Sequence, residues 1–239
     1  MSKTQNGTTR KLIFLLTALL VVVVMVRLGI WQLDRGAQKQ QLLHQWHQPA
    51  TELLLPIVVS QKYQRVQVSG VFDQQRYFLL DNRTRDGQVG YEVLALLTLA
   101  KNKTLLVNLG WLAAGFDRSV LPEFAVPVAQ VTIKGWLKQV ERSYQLANDV
   151  WLAGWPKRIQ QVELLRIEEA ASSEFLQTVI LLNETPLTAK LITDWKPVNM
   201  SAQKHFGYAI QWFLMAFTLV VMVVWFYIKN LKEKGGSDE

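Results

Sequence analysis

The chain has 239 residues, half of them hydrophobic, with 26 Lys and Arg against 19 Asp and Glu and no cysteine. Abundant aliphatic and aromatic residues exclude a disordered or collagen-like chain. The missing cysteines exclude a disulfide scaffold, a thiolate metal site and a cysteine nucleophile.

The formal charge of +7 would point to nucleic acid in a soluble protein. Hydropathy gives it another meaning. Residues 12–26 are an apolar run broken only by Thr17, and the run continues past Arg27 to Trp31. Residues 208–228 form a second run without charge, whose 21 residues make a helix of about 30 Å, the thickness of the bilayer hydrocarbon core. Two transmembrane helices are therefore expected, over 12–31 and 206–228. Met25-Val26-Arg27-Leu28 offers no small-x-small cleavage site, so the first span is expected to be retained rather than removed as a signal peptide. The 11 residues ahead of it are too short for a mitochondrial transit peptide plus spacer, which points to a bacterial inner-membrane protein or a processed form.

Short basic ends set orientation. Lys3, Arg10 and Lys11 precede the first span, and Lys229, Lys232 and Lys234 follow the second. Residues 1–11 and 229–239 are expected in the cytoplasm, with 32–205 as a periplasmic domain. Charges in that domain sum to only +3, an ordinary solvated surface rather than a nucleic-acid footprint.

The first helix is expected to run on past the membrane to about His47. Beyond it, runs rich in Val, Leu, Ile and aromatics predict strands at 63–70, 76–80, 91–99, 104–112, 130–137 and 178–182. Asp86-Gly87, Lys101-Asn102-Lys103, Pro122 and Pro127 supply the turns between them. Ile159, Val162 and Leu165 have helical spacing and predict one helix over 158–171, with Glu168 and Glu169 on its wet side. Short strands with one helix predict a mainly β (α+β) domain, a small antiparallel barrel or sandwich. Trp136, Trp151 and Trp155 are expected in its core.

Enzymatic signatures are absent: there is no G-x-S-x-G, P-loop, GxGxxG or HExxH. No catalytic activity is expected. His44 and His47 lie about one helical turn apart, but no third ligand is near in sequence, and a polar juxtamembrane helix accounts for them. A copper carrier is disfavoured, since cysteine is absent and the five methionines do not cluster.

The outer membrane boundary is more informative. On helical geometry His205, Tyr208, Ala209 and Trp212 share one face of the second span. Arg27, Trp31, Asp34 and Arg35 share a face of the first. Taken singly, the aromatics are a membrane-interface belt, Arg27 snorkels to water, and Gln211 makes a helix–helix hydrogen bond. Taken together, a membrane-level histidine beside aromatics and a small alanine can ligate a planar metal macrocycle. Arg27 and Arg35 can then pair with its propionates.

These residues also carry a resemblance. Gly29-x-Trp31-Gln32-Leu33-x-Arg35-x-x-x-Lys39 resembles the first signature of the SURF1 family of cytochrome c oxidase assembly factors. Gly90-Tyr91-x-Val93, Val107-Asn108-x-Gly110-Trp111 and His205-x-Gly207-Tyr208-Ala209-x-Gln211-Trp212-Phe213 follow in the family's order. The resemblance implies a membrane-bound biogenesis factor that handles haem a on its way to oxidase subunit I, with a haem a synthase and subunit I as partners. It also implies that His205 is the haem iron ligand. Two departures stand out. Leu109 occupies a position where the family commonly has Arg, and Ala95-Leu96-Leu97 replaces the usual Thr-Pro-Leu. The alternative is a cofactor-free scaffold that stabilises oxidase assembly intermediates, in which His205 is only a belt residue.

Overall fold

The computed structural model describes residues 2–53, 63–99, 103–123, 125–140, 151–183 and 191–235, with side chains from 9 to 230. Lys101 and Asn102, part of one expected turn, lie outside the described residues. The chain divides into two compact units, Met1–Leu43 with Val198–Glu239, and His44–Pro197.

The first unit is built from helices α1 (Ser2–Trp46) and α3 (Ala202–Gly235). Helix α1 ends one residue short of the expected His47, and it begins within the segment read as an N-terminal extension. Each helix holds a stretch long and apolar enough to cross a membrane and mostly uncovered within the protein. Both are candidate membrane spans, and they flank a mainly β domain.

The second unit contains strands β1 (Thr51–Glu52), β2 (Gln64–Arg85), β3 (Gln88–Thr98), β4 (Thr104–Ala113), β5 (Val131–Gln139), β6 (Lys157–Ile159) and β7 (Phe175–Leu182), with helix α2 (Leu164–Ala171) before β7. The two strands expected at 63–70 and 76–80 are one long bent strand. Its first half, to Gly70, pairs antiparallel with β5, and its second half pairs antiparallel with β3. The pairing then runs from β3 to β4, β7 and β5, and so returns to β2. This closed path is mixed rather than wholly antiparallel, because β4 and β7 run parallel, as do the short β1 and β6 beside β2.

The bend in β2 has a local cause. Between Phe72 and Tyr77 the register against β3 slips. There the Asp73 carboxylate accepts the backbone N–H groups of Gln75 and Arg76 and pairs with the Arg76 guanidinium at 2.6 Å. The Asp86-Gly87 turn forms as expected: Arg85 pairs with Gln88, and both loop residues have positive φ, 48° and 80°. Asp-Gly suits such a two-residue hairpin because glycine takes left-handed geometry freely.

Period-two alternation then divides the side chains. Val66, Val68, Tyr77 and Leu79 of β2, Tyr91, Val93, Ala95 and Leu97 of β3, Leu105, Val107 and Leu109 of β4, and Ile180 and Leu182 of β7 fill one core. The alternate positions Phe78, Leu80, Leu94, Leu96, Leu106 and Val179 point the other way. They are covered by Ile159, Ile167, Ala171, Trp151 and Trp155. Strand β4 is thus buried on both faces along eight consecutive positions, as expected of a continuous apolar run.

Helix α2 is shorter than the expected 158–171. Residues 157–159 instead pair with Phe78, Leu79 and Leu80 of β2, which places Ile159 in the second core. A three-residue apolar spacing fits an amphipathic helix, but here a sheet edge was available to bury Ile159 first. The third cluster joins Trp46, at the end of α1, to Trp136 of β5. Their rings stack at 3.8 Å, and Trp136 Nε1 donates to the Trp46 carbonyl at 2.9 Å.

Candidate haem-binding site

Small residues recur every seven positions on both long helices: Gly29 and Gly36 on α1, and Ala202, Ala209 and Ala216 on α3. All five are buried. Seven residues are close to two turns, so each set forms one stripe, and small stripes let helix backbones approach closely. Aromatic rings fill the space. Phe213 lies over Gly29 and Phe206 over Gly36, so near that an added Cβ would stand 2.6 Å and 2.4 Å from the respective rings. With Phe14 against Phe226 further along, α1 and α3 form an antiparallel pair in contact over much of their length.

His205 sits within this pair. Its Nδ1 lies 2.8 Å from Gln32 Oε1. An amide oxygen only accepts, so with Gln32 in this orientation the bond is made by the tautomer protonated at Nδ1, which leaves the Nε2 lone pair free. That Nε2 is buried and meets no hydrogen-bond partner among the described residues. An unmet buried acceptor costs about 1–3 kcal/mol, so a group able to accept the lone pair would gain by binding there. The interhelical hydrogen bond expected of Gln211 is made by Gln32; Gln211 itself is exposed.

The other expected residues divide into two sets. Ala209 and Trp212 lie with His205 on the buried side of α3, while Tyr208 on the flank is exposed. On α1, Arg27, Trp31 and Arg35 follow at four-residue intervals and form an exposed stripe. The Arg35 guanidinium lies 5.7 Å from the centre of the Trp31 ring and donates to Gln38 at 3.0 Å. Gln32 was the residue missed. It lies midway between Gly29 and Gly36, and a polar side chain centred in a small-residue stripe is the signal that could have found it. His44 bonds Gln48. Among the described residues no three His, Asp or Glu side chains gather as a metal site.

The motifs inside the domain have structural work. Asn108 Nδ2 donates to Glu92 Oε2 at 2.7 Å, and Asn108 Oδ1 accepts the Gly110 N–H at 3.2 Å. Trp111 Nε1 donates to the Arg83 carbonyl at 2.6 Å. The Asn108–Glu92 bond joins β4 to β3 beside the bulge at Leu109, where Val93 pairs with Gly110 and Leu94 with Asn108, and the Trp111–Arg83 bond ties β4 to β2. Gly90 leaves room for the Trp111 ring, 2.6 Å from where a Cβ would stand. Leu109, the departure from the family pattern, is fully buried in the first core. Ala95 and Leu97 are buried in the same core, and Leu96 is buried in the second.

The model of the SURF1 family matches residues 19–217, more than four-fifths of the chain. The chain belongs to the SURF1 family. Two curated relatives are similar over almost the whole length. A SURF1-like protein of Rickettsia felis is 27% identical over 231 residues, covering 90% of this chain and 97% of the relative. A SURF1-like protein of Rickettsia bellii is 24% identical over 234 residues, covering 92% of each. The region of SURF1 similarity contains Gln32, His205 and the Glu92–Asn108 lock, and it begins and ends inside the two apolar helices.

Proposed function

We propose that this SURF1-family protein is a biogenesis factor for haem–copper cytochrome c oxidase, which binds haem a and passes it to subunit I. The observation that carries the reading is the buried Nε2 of His205, which meets no partner among the described residues. An imidazole bonded through Nδ1 offers Nε2 as the donor atom, which suits haem iron. Because Nε2 is covered, side chains of the helix pair must shift before a macrocycle reaches it. Arg27 and Arg35 are the nearby cations of α1 that would meet propionates, and Trp31, Tyr208 and Trp212 are the aromatics available to its rim. Bound haem supplies the redox and ligand chemistry of the finished oxidase; this chain holds and orients it and excludes water.

Carriage of this kind needs no catalysis by the chain. The proposed location is the bacterial inner membrane, and the basic ends support an orientation with both termini cytoplasmic and the β domain periplasmic. A haem a synthase upstream and subunit I downstream are the partners implied by the family, and membrane lipid surrounds the helices. The experiment restores wild-type protein or His205→Ala to cells lacking the chain and measures subunit I and its haem a separately. Subunit I made but deficient in haem a with His205→Ala supports carriage. Full haem a content with His205→Ala contradicts it, and loss of subunit I itself only when the whole chain is missing favours the scaffold.

A further inference from the structure

We infer that Gln32 is a positioning residue: its side-chain oxygen holds His205 in the Nδ1–H tautomer and so presents Nε2 as the ligating nitrogen. The inference rests on the haem-carrier reading for its purpose, but not for its geometry. Free histidine favours the other tautomer, with the proton on Nε2. A proton there would block ligation and would find no acceptor among the described residues. The 2.8 Å contact from Nδ1 to Gln32 Oε1 reverses the preference. It also fixes the plane of the ring, because the donor must point along the amide oxygen's lone pairs.

The support for Gln32 is itself constrained. Gly29 and Gly36 flank it three residues before and four after, on the same face of α1, and each seats an aromatic ring of α3. Those two contacts set the separation of the helices at the level of Gln32. Acceptors behind a ligating histidine raise its basicity, and their removal typically weakens metal affinity 10–100-fold. Glutamine also carries no charge, so it polarises the ring without placing an ion at membrane level, where ionised groups are costly.

The test uses the full chain in detergent micelles with 15N-labelled histidine. The protein has only three histidines, so the His205 signals are assigned by their loss in His205→Ala. At a pH where the ring is neutral, the wild type is expected to show a protonated Nδ1 and an unprotonated Nε2. Gln32→Leu should move the population toward Nε2–H. Gln32→Glu, which keeps an acceptor of the same length, should keep Nδ1–H. Titration with haem a should then show affinity 10–100-fold lower for Gln32→Leu than for the wild type.

A wild-type ring protonated on Nε2, or one unchanged by Gln32→Leu, overturns the role of Gln32. If Gln32→Leu does not fold, a wild-type Nδ1–H that persists in Gln32→Glu supports the role, and its absence in the wild type overturns it. Failure of wild-type protein to bind haem a, with the tautomer as expected, refutes the carrier reading while the positioning role stands on the nitrogen signals.

Discussion

Substituting Gly36 by alanine tests the helix pair directly. The new Cβ would stand 2.4, 2.7 and 2.9 Å from three atoms of the Phe206 ring. Carbon–carbon contacts are optimal at about 3.5–4.0 Å, so the ring, or the helices, must retreat by about 1 Å. Overpacking of this kind costs about 1–3 kcal/mol. Alanine recovers up to about 1 kcal/mol of helix propensity over glycine, leaving a net loss of about 0–2 kcal/mol. The consequence reaches the site, because His205 adjoins Phe206. A 1 Å separation would stretch the 2.8 Å bond to Gln32 beyond hydrogen-bonding range. The assay is reversible unfolding of the full chain in mixed micelles, for wild type, Gly36→Ala, Phe206→Ala and the double variant. The double variant should recover most of the loss, with a coupling energy of about 2 kcal/mol between the two sites. Additive effects, or a Gly36→Ala protein more stable than wild type, would refute the packing argument.

Other predictions concern the β domain. Trp46→Ala should cost about 3–5 kcal/mol, because it removes a ring stacked on Trp136; loss of the near-ultraviolet signal of the pair, with a lower melting temperature, would show it. Leu109→Arg should be far more damaging than Leu109→Met, since it buries a charge in an apolar core where the described neighbours are hydrophobic; soluble yield and melting temperature separate the two. Asp73 gives a pH signature. Burial alone would raise its carboxyl, but the backbone N–H groups of Arg76 and Gln75 and the Arg76 side chain outweigh burial and hold it below the ordinary carboxylate range. A depressed pKa contributes stability that is complete above about pH 4 and is lost as pH falls further. Asp73→Asn should therefore be less stable at neutral pH and lose less stability than wild type on acidification, as read from melting temperatures across that range.

Much of the architecture could be read from the residues because its signals are local. The spans are long uncharged runs, and Asp86-Gly87 is a turn whose geometry only a few residue types adopt. The alternation of Val93, Ala95 and Leu97 against Leu94 and Leu96 announces a strand covered on both faces. Errors arose where one pattern served two structures. Ile159 has a spacing that suits a helix, yet it completes the second core as an edge-strand residue. The continuous β2 is expected as two strands because polar Asp73, Gln74 and Gln75 interrupt its apolar run, yet the strand continues through them while the Asp73 carboxylate binds the Gln75 and Arg76 N–H groups. On α3, His205 and Trp212 lie on the partly buried side and Tyr208 on the exposed flank. Gln32 escaped notice because its role depends on α1 pairing with α3, a long-range contact that no single segment encodes.

The central claim is that His205 ligates haem a. The most direct measurement is the absorption spectrum of the full chain purified in detergent from cells that make haem a, with His205→Ala alongside. The account predicts a reduced haem a band in the wild type and its loss in the variant, at equal membrane yield. A band of equal strength in both proteins, or none in the wild type while haem a is being made, would contradict it.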